Sequence, residues 1–130
     1  MGDVMTTRKI LIIDDSELVL EMARDPLEAA GFTVFTATNG MEANKIIFSQ
    51  NKPDLIVIDV MMPMLDGTEK AKLLKEWDFS RNIPILLMSS KPEDELQRLV
   101  VESKVNGYIH KPFTPTGIVA EVEKVLVFSS

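Results

Sequence analysis

The sequence has no cysteine, which excludes a disulfide framework, a thiolate-bound zinc or iron–sulfur centre and a thiol nucleophile. It has one histidine, one tryptophan and one tyrosine. No apolar run exceeds a few residues, far short of the roughly 20 that cross a bilayer. Basic residues are in deficit, 14 against 20 acids, a net charge of −6. That balance argues against direct nucleic-acid binding and against binding to an anionic membrane, both of which need a basic footprint. Met1–Arg8 holds no long apolar segment, so no secretory signal is expected, and a reducing cytoplasm fits the lack of cysteine.

What is present is ordinary globular material: 130 residues, 45% hydrophobic and 26% charged. This length suits one domain with its own core. Short apolar, β-branched runs recur at Ile10–Ile13, Thr33–Phe35, Leu55–Ile58, Ile83–Met88 and Gly107–Ile109. Runs without polar alternation read as strands buried on both faces, as in a parallel sheet covered by helices.

Helical spacing fills the gaps. Ile118, Val122, Val125 and Leu126 share one face of a last helix opened by Thr114-Pro115. A first helix begins near Ser16 and closes at Gly31, with a kink expected at Pro26. Asn39-Gly40 opens a second helix over 40–51, which adds no site. The pattern is five strand–helix units, (βα)5, and right-handed crossovers make it an α/β doubly wound parallel five-stranded sheet. Residues 8–128 form the expected domain; 1–7 and 129–130 are expected to fray.

Ligands of open parallel sheets bind beyond the carboxyl ends of the strands. There the first strand yields Asp14, Asp15 and Ser16, the third Asp59, the fourth Ser89-Ser90 and the fifth His110-Lys111-Pro112. Any one acid here could be a helix cap and nothing more. Together they are harder to dismiss, because carboxylates about 4 Å apart repel by roughly 4 kcal/mol at an effective dielectric near 20. Such a cluster raises its own pKa values or binds a cation. Hard oxygen donors favour Mg²⁺, or Mn²⁺, over zinc. Acids, a metal and Lys111 would together hold a phosphoryl group.

Asp14-Asp15, the stretch Asp59-Val60-Met61-Met62-Pro63-Met64-Leu65-Asp66-Gly67, Ser89, Tyr108 and Lys111-Pro112 resemble the receiver domain of two-component response regulators in order and spacing. The resemblance spans about residues 8–128 and implies a flavodoxin-like sheet of strand order 2-1-3-4-5. It implies that Asp59 is the phosphoacceptor, and that Asp14, Asp15, Asp59 and the Met61 backbone carbonyl organise Mg²⁺. Lys111 would pair with the phosphoryl oxygens and Ser89 would move to hydrogen-bond them. Tyr108 would then swing inward, switching the face of the fourth helix, fifth strand and fifth helix. The bond before Pro112 would be cis, aiming Lys111 inward.

The implied partners are a sensor histidine kinase or phosphotransfer protein and a downstream protein or output domain. Phosphorylation-dependent homodimerisation stays open, as does stand-alone receiver against part of a longer regulator. The implied role is signalling rather than metabolic catalysis, with only autocatalytic phosphoryl transfer and autodephosphorylation.

Other motif residues read structurally. Gly67 serves a tight backbone position, Met61, Met62 and Met64 are expected to fill gaps over the loop, and His110 should face away from the acids. Ser89 and Lys104 depart from the family's commoner threonine and glycine, and Lys91 lies where water would approach an acyl phosphate.

Competing readings fit less well. An Asp-nucleophile phosphatase of the haloacid-dehalogenase type needs Asp-x-Asp on its first strand, and a flavin-mononucleotide binder would have its phosphate repelled by Asp14-Asp15. A degenerate receiver acting only as a docking surface would not need every reactive position filled, as it is here.

Overall fold

Alternation along the buried strands organises the molecule. The computed structural model describes residues 7–129. Most of the expected frayed ends, residues 1–6 and 130, thus lie outside the described residues. The core strands are β1 (Lys9–Ile13), β2 (Thr33–Ala37), β3 (Leu55–Asp59), β6 (Ile85–Ser89) and β7 (Gly107–His110). All pair in parallel, in the order β2-β1-β3-β6-β7, which is 2-1-3-4-5 when the core strands alone are counted. Five helices complete it: α1 (Glu17–Ala29), α2 (Gly40–Ile47), α3 (Gly67–Glu76), α4 (Glu93–Ser103) and α5 (Pro115–Ser129).

Successive strand residues point to opposite faces. Ile10, Ile12, Leu55, Val57, Leu86, Met88 and Ile109 therefore pack with Leu20, Ala23 and Leu27 of α1 and with Ile118 and Val122 of α5. Leu11, Ile13, Ile56, Ile58, Ile85 and Leu87 pack on the other face with α2, α3 and α4 through Ala43, Ile47, Ala71, Leu74 and Leu96. Each fully buried large side chain contributes about 1.5–3 kcal/mol of transfer free energy. The two-layered burial explains why these strands carry no polar alternation.

Local chemistry sets the helix limits. Ser16 caps α1 by accepting from the Val19 N–H at 3.2 Å, and Asn39 caps α2 by accepting from Glu42 at 2.9 Å. Thr114 does the same for α5, accepting from Gly117 at 2.9 Å. α1 runs unbroken through Pro26, and the chain leaves it at Gly31, whose φ of +101° suits a residue without Cβ.

Three local expectations are corrected. α2 stops at Ile47 rather than 51, because the Ser49 hydroxyl takes the Ile46 carbonyl at 2.8 Å and then accepts from Asn51. The fourth core strand starts at Ile85, not Ile83: Pro84 has no N–H to give, and Ile83 N–H turns back to Ser80. Between Asp59 and α3, a two-stranded antiparallel hairpin, β4 (Met61–Met62) and β5 (Leu65–Asp66), occupies what read as plain loop.

Candidate functional site

The chain reverses its direction of winding at the junction of β1 and β3, and the carboxyl ends of those strands deliver the acids. Asp14 follows Ile13 directly, and its N–H bonds to the Ala37 carbonyl at 3.1 Å. One carboxylate oxygen accepts from Ser16 N–H at 2.9 Å; the other faces inward. Asp59 is the last residue of β3. Ile10, Ile12 and Asp14 share a parity, as do Leu55, Val57 and Asp59, and as do Ile109 and Lys111. Asp14, Asp59 and Lys111 thus reach the rim on the same side of the sheet.

The distances bear this out. Lys111 Nζ lies 2.8 Å from Asp14 Oδ2 and 3.6 Å from Asp59 Oδ2. Carboxylate oxygens of Asp14, Asp15 and Asp59 all lie within 4.8 Å of one another. Asp14 is 1% exposed and Asp59 5%, whereas Asp15 is open to solvent. Burial, and then the charge of Asp14, push the Asp59 carboxyl above its ordinary value; Lys111 and the Met61 N–H, 3.3 Å away, pull it part of the way back. One lysine does not neutralise three acids. Oxygen donors without nitrogen or sulfur, carrying uncompensated negative charge, suit a hard divalent cation such as Mg²⁺.

The surrounding loop is held rigidly. Gly67 starts α3 with its N–H on the Val60 carbonyl at 3.1 Å. A Cβ there would overlap the Asp59 carbonyl group, 2.9 Å from its carbon and 3.0 Å from Val60 Cα, so only glycine fits. Asp66 caps α3 by accepting from Thr68 and Glu69 at 2.9 and 3.2 Å. The Asp66-x-x-Glu69 spacing, a helix-start pattern, was the available signal for that role.

The remaining candidates are held by other contacts. Ser89 ends β6 with the opposite parity; its buried hydroxyl accepts from Lys91 N–H at 3.0 Å. Tyr108, also of that parity, is half-buried against the α2–α3–α4 face. The peptide bond between Lys111 and Pro112 is cis. His110 points away from the acids, and its Nε2 meets the Lys91 carbonyl at 2.9 Å, a contact without a signal in the sequence. Lys91 Nζ pairs with Glu95 at 3.0 Å.

The methionines are corrected in part. Met62 is buried as a gap-filler, but Met61 is 65% exposed and Met64 fully so, with Met64 held at φ +60° by the tight hairpin turn. The hairpin turns both side chains outward.

Known proteins resemble this chain in sequence and fold. Residues 10–123 match the family described as response regulator receiver domain. The chain is 40% identical over 119 residues to the alkaline phosphatase synthesis transcriptional regulatory protein PhoP of Bacillus subtilis, covering 92% of this chain and 48% of PhoP. It thus spans about half the length of that relative. The chemotaxis protein CheY of Halobacterium salinarum is 31% identical, with 92% of this chain and 97% of CheY covered. The solved structure of CheY4 of Vibrio cholerae superposes with a TM-score of 0.83 at 30% identity, covering 92% of this chain and 99% of that one. Fold and sequence agree, and the chain belongs to the receiver domain family of two-component response regulators.

Proposed function

We propose that the domain accepts a phosphoryl group on Asp59 from the phosphohistidine of a sensor kinase or phosphotransfer protein. A carboxylate oxygen of Asp59 attacks phosphorus as the donor's P–N bond breaks, and the imidazole leaves with the electron pair and takes up a proton. Hydrolysis of the acyl phosphate returns the carboxylate and releases inorganic phosphate. The observation that carries this reading is the meeting of Asp14, Asp15 and Asp59 within 4.8 Å, with Lys111 reaching both buried acids.

Each residue has a part. Lys111, already drawn toward Asp59 Oδ2, is placed to pair with transferred oxygens. Asp14, Asp15, Asp59 and the Met61 carbonyl would hold Mg²⁺, which would offset the charge of the acids and of the incoming group. Positioning and charge neutralisation are most of what phosphoryl transfer asks of a protein. Ser89 then donates its hydroxyl to the phosphoryl oxygens, and Tyr108 follows inward, remodelling the surface of α4, β7 and α5. A phosphoryl group adds about −1.5 to −2 charges, and it switches the domain only as far as it binds the active arrangement more tightly.

The output is a changed affinity for a protein partner or a linked output domain. Among the described residues no helix is long and apolar enough to cross a membrane. Incubation with Mg²⁺ and acetyl phosphate, followed by intact mass, tests the proposal. One added phosphoryl group, abolished in Asp59→Asn, is expected; a parent that stays unlabelled beside a receiver that labels contradicts it.

A further inference from the structure

Ser89, Tyr108 and His110 share one parity across the paired ends of β6 and β7, where Ser89 and His110 are direct register partners. Between β6 and α4 lie only Ser90, Lys91 and Pro92, and Pro92 caps α4 without a side-chain bond. This short link is held by its middle residue instead. The Lys91 N–H is accepted by the Ser89 hydroxyl at 3.0 Å, and the Lys91 carbonyl meets His110 Nε2 at 2.9 Å. A carbonyl only accepts, so Nε2 carries the proton and donates. The β6 end is tied to the same strand, since Lys111 N–H bonds to the Ser89 carbonyl at 2.8 Å.

Bringing the Ser89 hydroxyl to a group on Asp59 therefore meets a double restraint. An N–H left without an acceptor is costly, so Lys91 moves with the hydroxyl and its carbonyl leaves His110. We propose that His110 is a positioning residue that acts on Ser89 through Lys91, latching the β6–α4 link in its resting arrangement. The proposal rests on the reading of Asp59 as phosphoacceptor and Ser89 as the hydroxyl it recruits. His110 touches no reacting atom. It sets how readily the phosphoryl group recruits the hydroxyl, and Tyr108, two residues away on the same face, follows in an adjoining space.

The latch favours the resting state, so losing it favours the active one. A neutral hydrogen bond of ordinary net strength corresponds to between about 2-fold and 10-fold in such an equilibrium. The full chain, with Mg²⁺ and acetyl phosphate, reads this as the initial rate of labelling by intact mass. His110→Leu, which keeps bulk without a donor, is expected to label faster by about that factor. His110→Gln, whose amide nitrogen replaces Nε2, is expected to restore the parent rate. In a Ser89→Ala background His110→Leu is expected to change nothing.

Equal rates for parent and His110→Leu overturn the latch, and so does an acceleration that survives Ser89→Ala. A merely structural histidine gives one of those two results. The chain's single histidine offers a second measurement if His110→Leu does not fold. Long-range ¹H–¹⁵N spectra of the parent are expected to show a protonated, hydrogen-bonded Nε2 that changes on labelling, and an unchanged signal overturns the proposal. Labelling that persists in Asp59→Asn removes the phosphoacceptor reading, and the latch with it. Labelling confined to Asp59 with silent His110 variants removes the latch alone.

Discussion

Lys111 donates from Nζ to the buried Oδ2 of Asp14 across 2.8 Å, although 97 positions separate the two residues in the chain. The contact closes the sheet's carboxyl rim and leaves Lys111 3.6 Å from Asp59, close enough to attract without saturating it. A lysine shared unequally by two buried acids keeps both near a charge while leaving donors for another ligand.

Lys111→Met removes this cation. Interactions with charged groups are worth about 1.5–3 kcal/mol, so labelling by acetyl phosphate is expected to slow by at least about tenfold. Rates within twofold of the parent would show that Lys111 does not assist transfer.

The raised pKa of Asp59 has a consequence for stability. Below the ordinary value of 3.8 folded and unfolded states are both protonated. As pH rises above it, the unfolded state loses its proton first, the folded state binds more protons, and stability falls until the folded carboxyl also ionises. Asp59→Asn is expected to lose this fall and to be more stable at neutral pH without divalent ions. Urea midpoints across pH measure it; a parent at least as stable as Asp59→Asn at neutral pH would contradict the charge argument.

Gly67→Ala drives a methyl group into the backbone of Asp59 and Val60. Neither backbone can yield without moving the end of β3. A loss of about 1–3 kcal/mol is expected in urea unfolding, with slower labelling as Asp59 shifts. Unchanged stability would mean that the loop is softer than its contacts indicate.

Lys104 ends α4 in the left-handed region, at φ 60° and ψ 36°, where the side chain is exposed. Glycine adopts this conformation without a Cβ clash. Lys104→Gly is therefore expected to gain about 0.5–1 kcal/mol in thermal or urea unfolding and to leave labelling unchanged. A loss of stability would mean that the lysine side chain contributes more than the strain it carries.

Much of this was legible in the sequence because strands buried on both faces have no polar residues until they end. Asp14, Asp59 and Ser89 announce themselves as the first polar positions after apolar runs, Lys111 follows one position beyond His110, and caps at Ser16, Asn39 and Thr114 read directly from residue type. What stayed hidden depends on contacts between distant elements. Nothing periodic marks the hairpin that turns Met61 and Met64 outward, the Ser49 hydroxyl that ends α2 at Ile47, or the bond from His110 to Lys91. The tilted packing of Phe48 against Trp77 and Phe79, with ring centroids 5.7 and 5.3 Å apart, joins the ends of α2 and α3 and is equally silent in the sequence. Parity alone would have separated His110 from Lys111, but not found its acceptor.

Chemical localisation of the acyl phosphate tests the central claim most directly. Borohydride reduces an aspartyl phosphate to homoserine, and peptide sequencing by mass spectrometry then finds it. Homoserine at position 59, dependent on Mg²⁺ and on the phosphodonor, is predicted. Homoserine at position 14 or 15 instead, or at none of the three, would contradict the account.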